Sequence, residues 1–263
     1  MSNAGTGWIT KVSELNGDFA TLYGYSVDDL ARHVTFTDSA YLAFTGELPT
    51  DAQRAMFDRM LVLTAAHGIA PSGAVARSMI ACGSPIQVAM AAGSLSVGDV
   101  HGGAGEQTAR VLQERIVPLA EEKGVEAAAE IAVDEALEGD GRVPGFGHQH
   151  HHDGDPRSTF IMSSADELGV AGIACEVVQK MEGVLADRKG RLIKLNADGA
   201  IAAVLTDLGI DWRLSRPFMV AGRAPALGAI AIEELKERNR GWRGLVLAGE
   251  IYEGPAPRPV PVR

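Results

Sequence analysis

Apolar side chains recur at intervals of three and four through most of this sequence and alternate with polar ones almost nowhere, which predicts helices rather than strands. The stretch LPTDAQRAMFDRMLVLTAAHG sets Met56, Met60, Leu61 and Thr64 on one face. It carries Thr50 and Gln53 at capping-box spacing and stops at Gly68. The pattern predicts one helix that delivers His67 at its C-terminal end. Pro71 and Ser72 open a second helix, and Gly83, Ser84 and Pro85 separate it from IQVAMAAGSLSVG. Ala89, Ala91, Ala92, Gly93 and Ser94 in that stretch are too small and apolar for a solvated helix. A deep helix with its backbone close to a neighbour is expected.

From Gly102, GGAGEQTARVLQERIVPLAEEKG predicts an amphipathic helix and VEAAAEIAVDEALEG another, their polar faces in water. DGRVPGFGHQHHHDGDPR then reads as an irregular segment, rich in glycine and proline. Helical patterns resume in STFIMSSADELG, GIACEVVQKMEGVLADRKG and AIAAVLTDLG. The last lies within RPFMVAGRAPALGAIAIEELKERN, interrupted or entered around Pro225. Only TLYGY and GLVLAGEIY offer short strands, and the GPAPRPVPVR tail reads as an extended strap for a partner subunit. The fold class expected is all-α.

A chain of 263 residues, 46% hydrophobic, can form one large domain, or a core domain with a smaller lobe, around a working pocket. A formal charge of −10 opposes binding to nucleic acid and to anionic membranes. Cys82 and Cys175 lie in apolar helical contexts and are expected to be buried thiols. The N-terminus lacks a basic start with an apolar core, and no stretch has the length of a membrane span, so a cytoplasmic location is expected. The glycines form neither GxGxxG after a strand nor GxxxxGKS/T, and Ser163 and Ser164 occupy no GxSxG elbow. Dinucleotide, P-loop and serine-hydrolase readings fail on those grounds.

Four junctions instead press a polar residue against glycine: AAHG at His67, DVHGGAGE at His101, PGFGHQ at His148 and NADG at Asp198. Glycine lets another group approach the backbone, and polar side chains buried there require partners or a ligand. Their convergence on one pocket is the functional expectation. Singly, each histidine also reads as a helix cap or core hydrogen-bonder, and Asp198 as an N-cap. The run His150, His151 and His152 reads as solvated loop, as a ligand or interface contact, or as a transition-metal site. No HExxH or Cys/His spacing supports the last, and no catalytic metal is expected.

The ordered set GELPT (46–50), VHGG (100–103), PGFGH (144–148), DPR (155–157), NADG (196–199) and GR (222–223) resembles the citrate synthase superfamily. It is most similar to the short citryl-CoA lyase branch, which includes the citrate synthase-like domain of ATP-citrate lyase. The resemblance runs from about residue 20 to about residue 255. It implies a large helical domain (1–123 and 212–263), a small mobile one (124–211), and a homodimer or higher homo-oligomer with active sites near the interface. It further implies coenzyme A as a substrate thioester, no redox cofactor, and cleavage of citryl-CoA or a related 3-hydroxyacyl-CoA to acetyl-CoA and an oxo acid. A citrate or 2-methylcitrate synthase, and a non-catalytic ligand-binding homodimer, are the alternatives on the same scaffold.

By motif position the resemblance gives His101 as donor to the thioester oxygen, Asp198 as base at the methyl carbon and His148 as polariser of the keto carbonyl. Arg157, Arg223 and His67 would hold substrate carboxylates, with Arg240 and Arg243 as possible carboxylate contacts from a partner subunit. Gly145, Phe146, Gly147 and Lys194 would contact coenzyme A. Gln149 and the acidic, histidine-rich run after it stand where the family often has basic residues, leaving Lys123, Arg142 and Lys194 as possible phosphate partners. The chemistry itself is coherent: an acetyl thioester is a weak carbon acid, so a carboxylate base needs a donor on the developing enolate oxygen in a dry site.

Overall fold

The computed structural model describes residues 9–17, 19–68, 70–139, 141–147 and 154–237. It opens with a small antiparallel sheet in the order β1 (Ser13–Asn16), β2 (Phe19–Leu22), β3 (Tyr25–Ser26). The expected strand TLYGY is therefore two strand ends around a turn. Tyr23 and Gly24 both have positive φ, 48° and 85°, the pair of left-handed residues that a tight hairpin requires.

Among the described residues the rest is helical: α1 (Val27–His33), α2 (Phe36–Thr45), α3 (Asp51–Thr64), α4 (Pro71–Ala81), α5 (Ile86–Leu95) and α6 (Ala104–Val111). These are followed by α7 (Val117–Lys123), α8 (Val125–Glu138), α9 (Pro156–Leu168), α10 (Ile173–Lys189), α11 (Ala197–Asp207) and α12 (Ser215–Glu237). Local chemistry sets many of these boundaries. Reciprocal capping boxes start α2 (Thr35 with Asp38) and α3 (Thr50 with Gln53), and Asp155 and Asn196 cap α9 and α11. The left-handed residues Gly46, Gly169 and Gly190 end α2, α9 and α10.

Four expectations are corrected. The first helix ends at Thr64, whose hydroxyl donates to the Leu61 carbonyl, so His67 lies in the connection beyond it. The amphipathic helix from Gly102 is α6 and α7 joined by a π-turn, Leu112–Ile116, just before Pro118. Pro225 does not interrupt α12: although an internal proline costs about 3 kcal/mol, Arg223 before it and Leu227 and Ala231 after it are buried and hold the helix. Cys82 is exposed because it caps α4 at a surface turn, whereas Cys175 is buried as expected.

α5 is also shallower than its small residues suggest. Ala89 and Gly93 are buried, and a Cβ on Gly93 would stand 2.8 Å from the Ser72 carbonyl oxygen, so the close backbone approach is present. The opposite side, with Val88, Ala91 and Leu95, is exposed.

The main core joins Tyr41, Phe57 and Phe218, packed edge to face, with apolar residues of α6 to α11. Each such fully buried ring contributes on the order of 2 kcal/mol. α11 lies deepest, buried at every position from Gly199 to Leu205 and packed on α6, α9 and α10. A second cluster ties α4 and α5 to the C-terminal half of α12 through Ala76, Ile80, Ala89, Leu227 and Ala231. GLVLAGEIY and the proline-rich tail lie outside the described residues.

Candidate active site

Five of the residues singled out in the sequence line one cavity of about 180 Å³: His67, His101, Arg157, Asp198 and Arg223. They arrive from the α3–α4 connection, the α5–α6 connection, the first turn of α9, the first turn of α11 and the middle of α12. Val97, Val100 and Met219 supply apolar wall.

His101 stands at the foot of a tight two-residue turn. Its N–H donates to the Gly98 carbonyl (2.9 Å) and its carbonyl accepts from the Gly98 N–H (3.0 Å), with Asp99 and Val100 at the tip. Gly103 is required beside it, because a Cβ there would stand 2.5 Å from the Asp99 Cα. Arg216 braces the turn by donating from Nη2 to Asp99 Oδ1 and Glu106 Oε1, both at 2.8 Å.

The imidazole of His101 is oriented by Ser72, a residue not singled out in the sequence. Its backbone N–H donates to His101 Nε2 at 3.4 Å, its Oγ lies 3.1 Å from the same nitrogen, and Arg223 Nη1 donates to that Oγ at 3.4 Å. Donors aimed at Nε2 make it the acceptor, so the neutral ring carries its proton on Nδ1. Burial, and then the charge of Arg223, hold His101 below the ordinary histidine value, against an opposing pull from Asp198. His67 is lowered likewise, by burial and then by Arg157 and Arg223. Both rings are therefore neutral near pH 7.

Arg223 is 7% exposed, and its Nε donates to the Thr64 carbonyl at 2.7 Å. Its place on α12 depends on Gly222: a Cβ there would run into Thr64 Oγ1 and stand 2.6 Å from the Leu61 carbonyl oxygen. Arg157 is paired through Nε (3.0 Å) and Nη2 (2.7 Å) with the buried Asp155. Burial pushes the Asp155 carboxyl up, but the hydrogen bonds from Arg157 and Ala197 outweigh it and leave the group below its ordinary value.

Asp198 follows the α11 cap. Asn196 Oδ1 accepts from the Gly199 N–H (3.0 Å), its Nδ2 donates to the Gly147 carbonyl (2.9 Å), and its own N–H donates to the Gly145 carbonyl (2.9 Å). Gly145 lies at φ 83°, and a Cβ on it would stand 2.8 Å from the Gly199 Cα, so the glycine loop and α11 meet backbone to backbone.

The remaining expected residues separate from this group. Gly145 and Gly147 use backbone groups to hold α11, and Phe146 lines a small apolar cavity with Val143, Pro144 and Met181. Lys194 pairs with Glu182 at 3.6 Å and lines a third cavity, of about 470 Å³, between α9 and α10. His148, Gln149, His150, His151, His152, Arg240 and Arg243 lie outside the described residues. Among the described residues no three His, Cys, Asp or Glu side chains gather as a metal-ligand set, and no helix is long and apolar enough to cross a membrane.

A predominantly helical scaffold that brings five polar groups from helices and their connections to one cavity is the citrate synthase type of fold. The chain belongs to the citrate synthase family: the model of the citrate synthase C-terminal domain matches residues 51–245. It is similar to the citryl-CoA lyase from Hydrogenobacter thermophilus, with 35% identity, a TM-score of 0.87 and 97% of each chain covered. It is 29% identical over 221 residues to a citrate synthase of Heyndrickxia coagulans, covering 82% of this chain and 56% of that protein. The ATP citrate lyase of Methanothrix soehngenii shares the fold at 21% identity and a TM-score of 0.77, over 97% of this chain and 43% of that one. The chain thus spans about half the length of the curated relatives it matches.

Proposed function

We propose that the protein is a CoA-dependent carbon–carbon lyase that cleaves citryl-CoA, or a related 3-hydroxyacyl-CoA, to acetyl-CoA and an oxo acid. The observation that carries this reading is the meeting of His101, Asp198, Arg157 and Arg223 in one cavity. Similarity to a citryl-CoA lyase along nearly the whole of both chains favours lyase over synthase. The cavity, about 180 Å³, suits the acyl end of a thioester rather than the whole of coenzyme A.

Arg157, Arg223 and His67 hold the carboxylates of the substrate, the guanidiniums as charged donors whose orientation is fixed by Asp155, Thr64 and Ser72. A base near the carbinol, the role the sequence gives to His148, takes the hydroxyl proton as that oxygen becomes the keto oxygen of the oxo acid. The bond between the carbinol carbon and the thioester α-carbon breaks, and its electron pair becomes the enolate of acetyl-CoA. The Nδ1–H of His101 stabilises the enolate oxygen. Asp198, entering protonated, delivers its proton to the α-carbon and leaves as carboxylate. Condensation runs the same steps backward, with Asp198 as base.

The same reading takes residues 124–211 as the smaller, moving domain and places a second copy of the chain against the exposed side of α5. Val88 and Leu95 are exposed on that side, and Val100, exposed in the connection that follows, also lines the cavity.

Incubation with citryl-CoA tests the proposal, with oxaloacetate, acetyl-CoA, citrate and free coenzyme A followed together. Oxaloacetate with acetyl-CoA is expected. Citrate with free coenzyme A would show the thioester hydrolysis of a citrate or 2-methylcitrate synthase, and no product from a folded protein would overturn the reading.

A further inference from the structure

Asp155 is 2% exposed, and its carboxylate reaches two parts of the cavity wall. Its Oδ1 accepts from the Arg157 backbone N–H and Nε, both at 3.0 Å, and its Oδ2 accepts from Arg157 Nη2 at 2.7 Å. The same Oδ2 accepts from the backbone N–H of Ala197, 3.2 Å away, the residue immediately before Asp198. One carboxylate thus caps α9, grips one edge of a guanidinium, and anchors the first turn of α11.

The grip on Arg157 is side-on. It commits the Nε and Nη2 edge to Asp155 and leaves the Nη1 end to reach a ligand, with the guanidinium plane fixed before any ligand arrives. The anchor on Ala197 acts on a different object. The first amides of a helix have no partner within it, so a buried carboxylate that accepts one determines where that turn sits.

We propose that Asp155 is a positioning residue that sets the plane of the Arg157 guanidinium and the placement of Asp198 together, one buried anion holding the carboxylate clamp and the proton-transfer group in register. The proposal rests on the roles given above to Arg157 and Asp198. It goes beyond them in making clamp and base a single mechanical unit rather than two independent ones.

Three variants of the full chain separate the two arms. Asp155→Asn weakens both. Arg157→Lys loses the planar fork and keeps the α11 anchor. Ala197→Pro removes the N–H that Asp155 accepts and leaves the Arg157 pair in place, at the first helical position, where proline fits the backbone and the extended Asn196 before it is compatible. With citryl-CoA as substrate, Asp155→Asn is expected to raise KM about tenfold and lower kcat about tenfold. Arg157→Lys should act chiefly on KM, and Ala197→Pro should lower kcat about fivefold with KM within about twofold of wild type. A folded Ala197→Pro protein with wild-type kcat overturns the coupling, as does an Asp155→Asn protein changed in KM alone.

Amide hydrogen exchange over residues 195–205 supplies a readout independent of turnover. It should quicken about tenfold in Asp155→Asn and remain as wild type in Arg157→Lys. If wild type fails to cleave citryl-CoA, the functional reading falls while this exchange still decides whether Asp155 anchors α11. Equal exchange in wild type and Asp155→Asn overturns the proposal in either case.

Discussion

His101 shows how much of an active group's character comes from a neighbour. Two donors on Ser72 face its Nε2, so the Nδ1 proton is the one available to a thioester oxygen. Removing the hydroxyl in Ser72→Ala leaves only the weaker backbone donor, and kcat is expected to fall about tenfold, the worth of one such hydrogen bond. KM should rise as well, because the same hydroxyl accepts from Arg223 Nη1, and steady-state kinetics with citryl-CoA would check both. A depressed pKa keeps each ring neutral further into acid, so the imidazoles of His67 and His101 should titrate below the ordinary histidine value of 6.5 in NMR spectra followed against pH. A midpoint above 6.5 for either ring would contradict this. Asp198→Ala should retain the fold and lose most exchange of acetyl-CoA methyl protons into deuterated water, measurable by NMR. His67, His101, Arg157, Asp198 and Arg223 were legible because most stand beside glycine at breaks between helices and all but His67 fall in an ordered motif set. Ser72 was not, since a serine just after a helix-opening proline is ordinary in sequence, and only the fold brings it to His101, twenty-nine residues away.

Capped helices were legible for a related reason: the Thr50–Gln53 box is satisfied within a few residues of itself, whereas the cap of α11 falls on Asn196 and not on Asp198, the N-cap alternative in the sequence. Features decided by distant partners were not. α5 carries a composition suited to a deep helix, yet only Ala89 and Gly93 are buried, because α4 and α12 cover a single side of it. The same holds for Gly145 and Gly199. Glycine in PGFGH and NADG marks close approach, but not that these two residues approach each other, with a Cβ on Gly199 only 2.5 Å from the Gly145 carbonyl oxygen. Gly145→Ala should destabilise the protein by about 2–4 kcal/mol, from the left-handed backbone plus overpacking. A thermal or denaturant melt would reveal it, and a variant as stable as wild type would show that the loop can part from α11.

Among the described residues Val88, Leu95 and Val100 are apolar and exposed, the last fully so at the tip of the His101 turn. If that surface is the seat of a second copy, Leu95→Asp should yield monomers in analytical ultracentrifugation with helix content retained. A dimer of unchanged affinity would place the interface elsewhere. The sequence suggested association through its family likeness and its proline-rich tail but did not point to this surface, because exposure is a property of the packed whole. The π-turn at Leu112–Ile116 carries a larger implication. It holds one residue more than an α-helical turn, and each residue rotates a helix by about 100°. Before it, Gly105, Thr108 and Ala109 are buried where α6 meets α11; beyond it, Leu119 and Ala120 are buried where α7 meets α8. Gln113, inside the turn, latches to the Ile210 carbonyl and the Trp212 N–H. Deleting a single residue here would make the helix more regular and the protein worse, swinging Leu119 toward solvent. Length in this stretch should therefore be far less negotiable across descendants of the same ancestor than the identity of any exposed side chain in it.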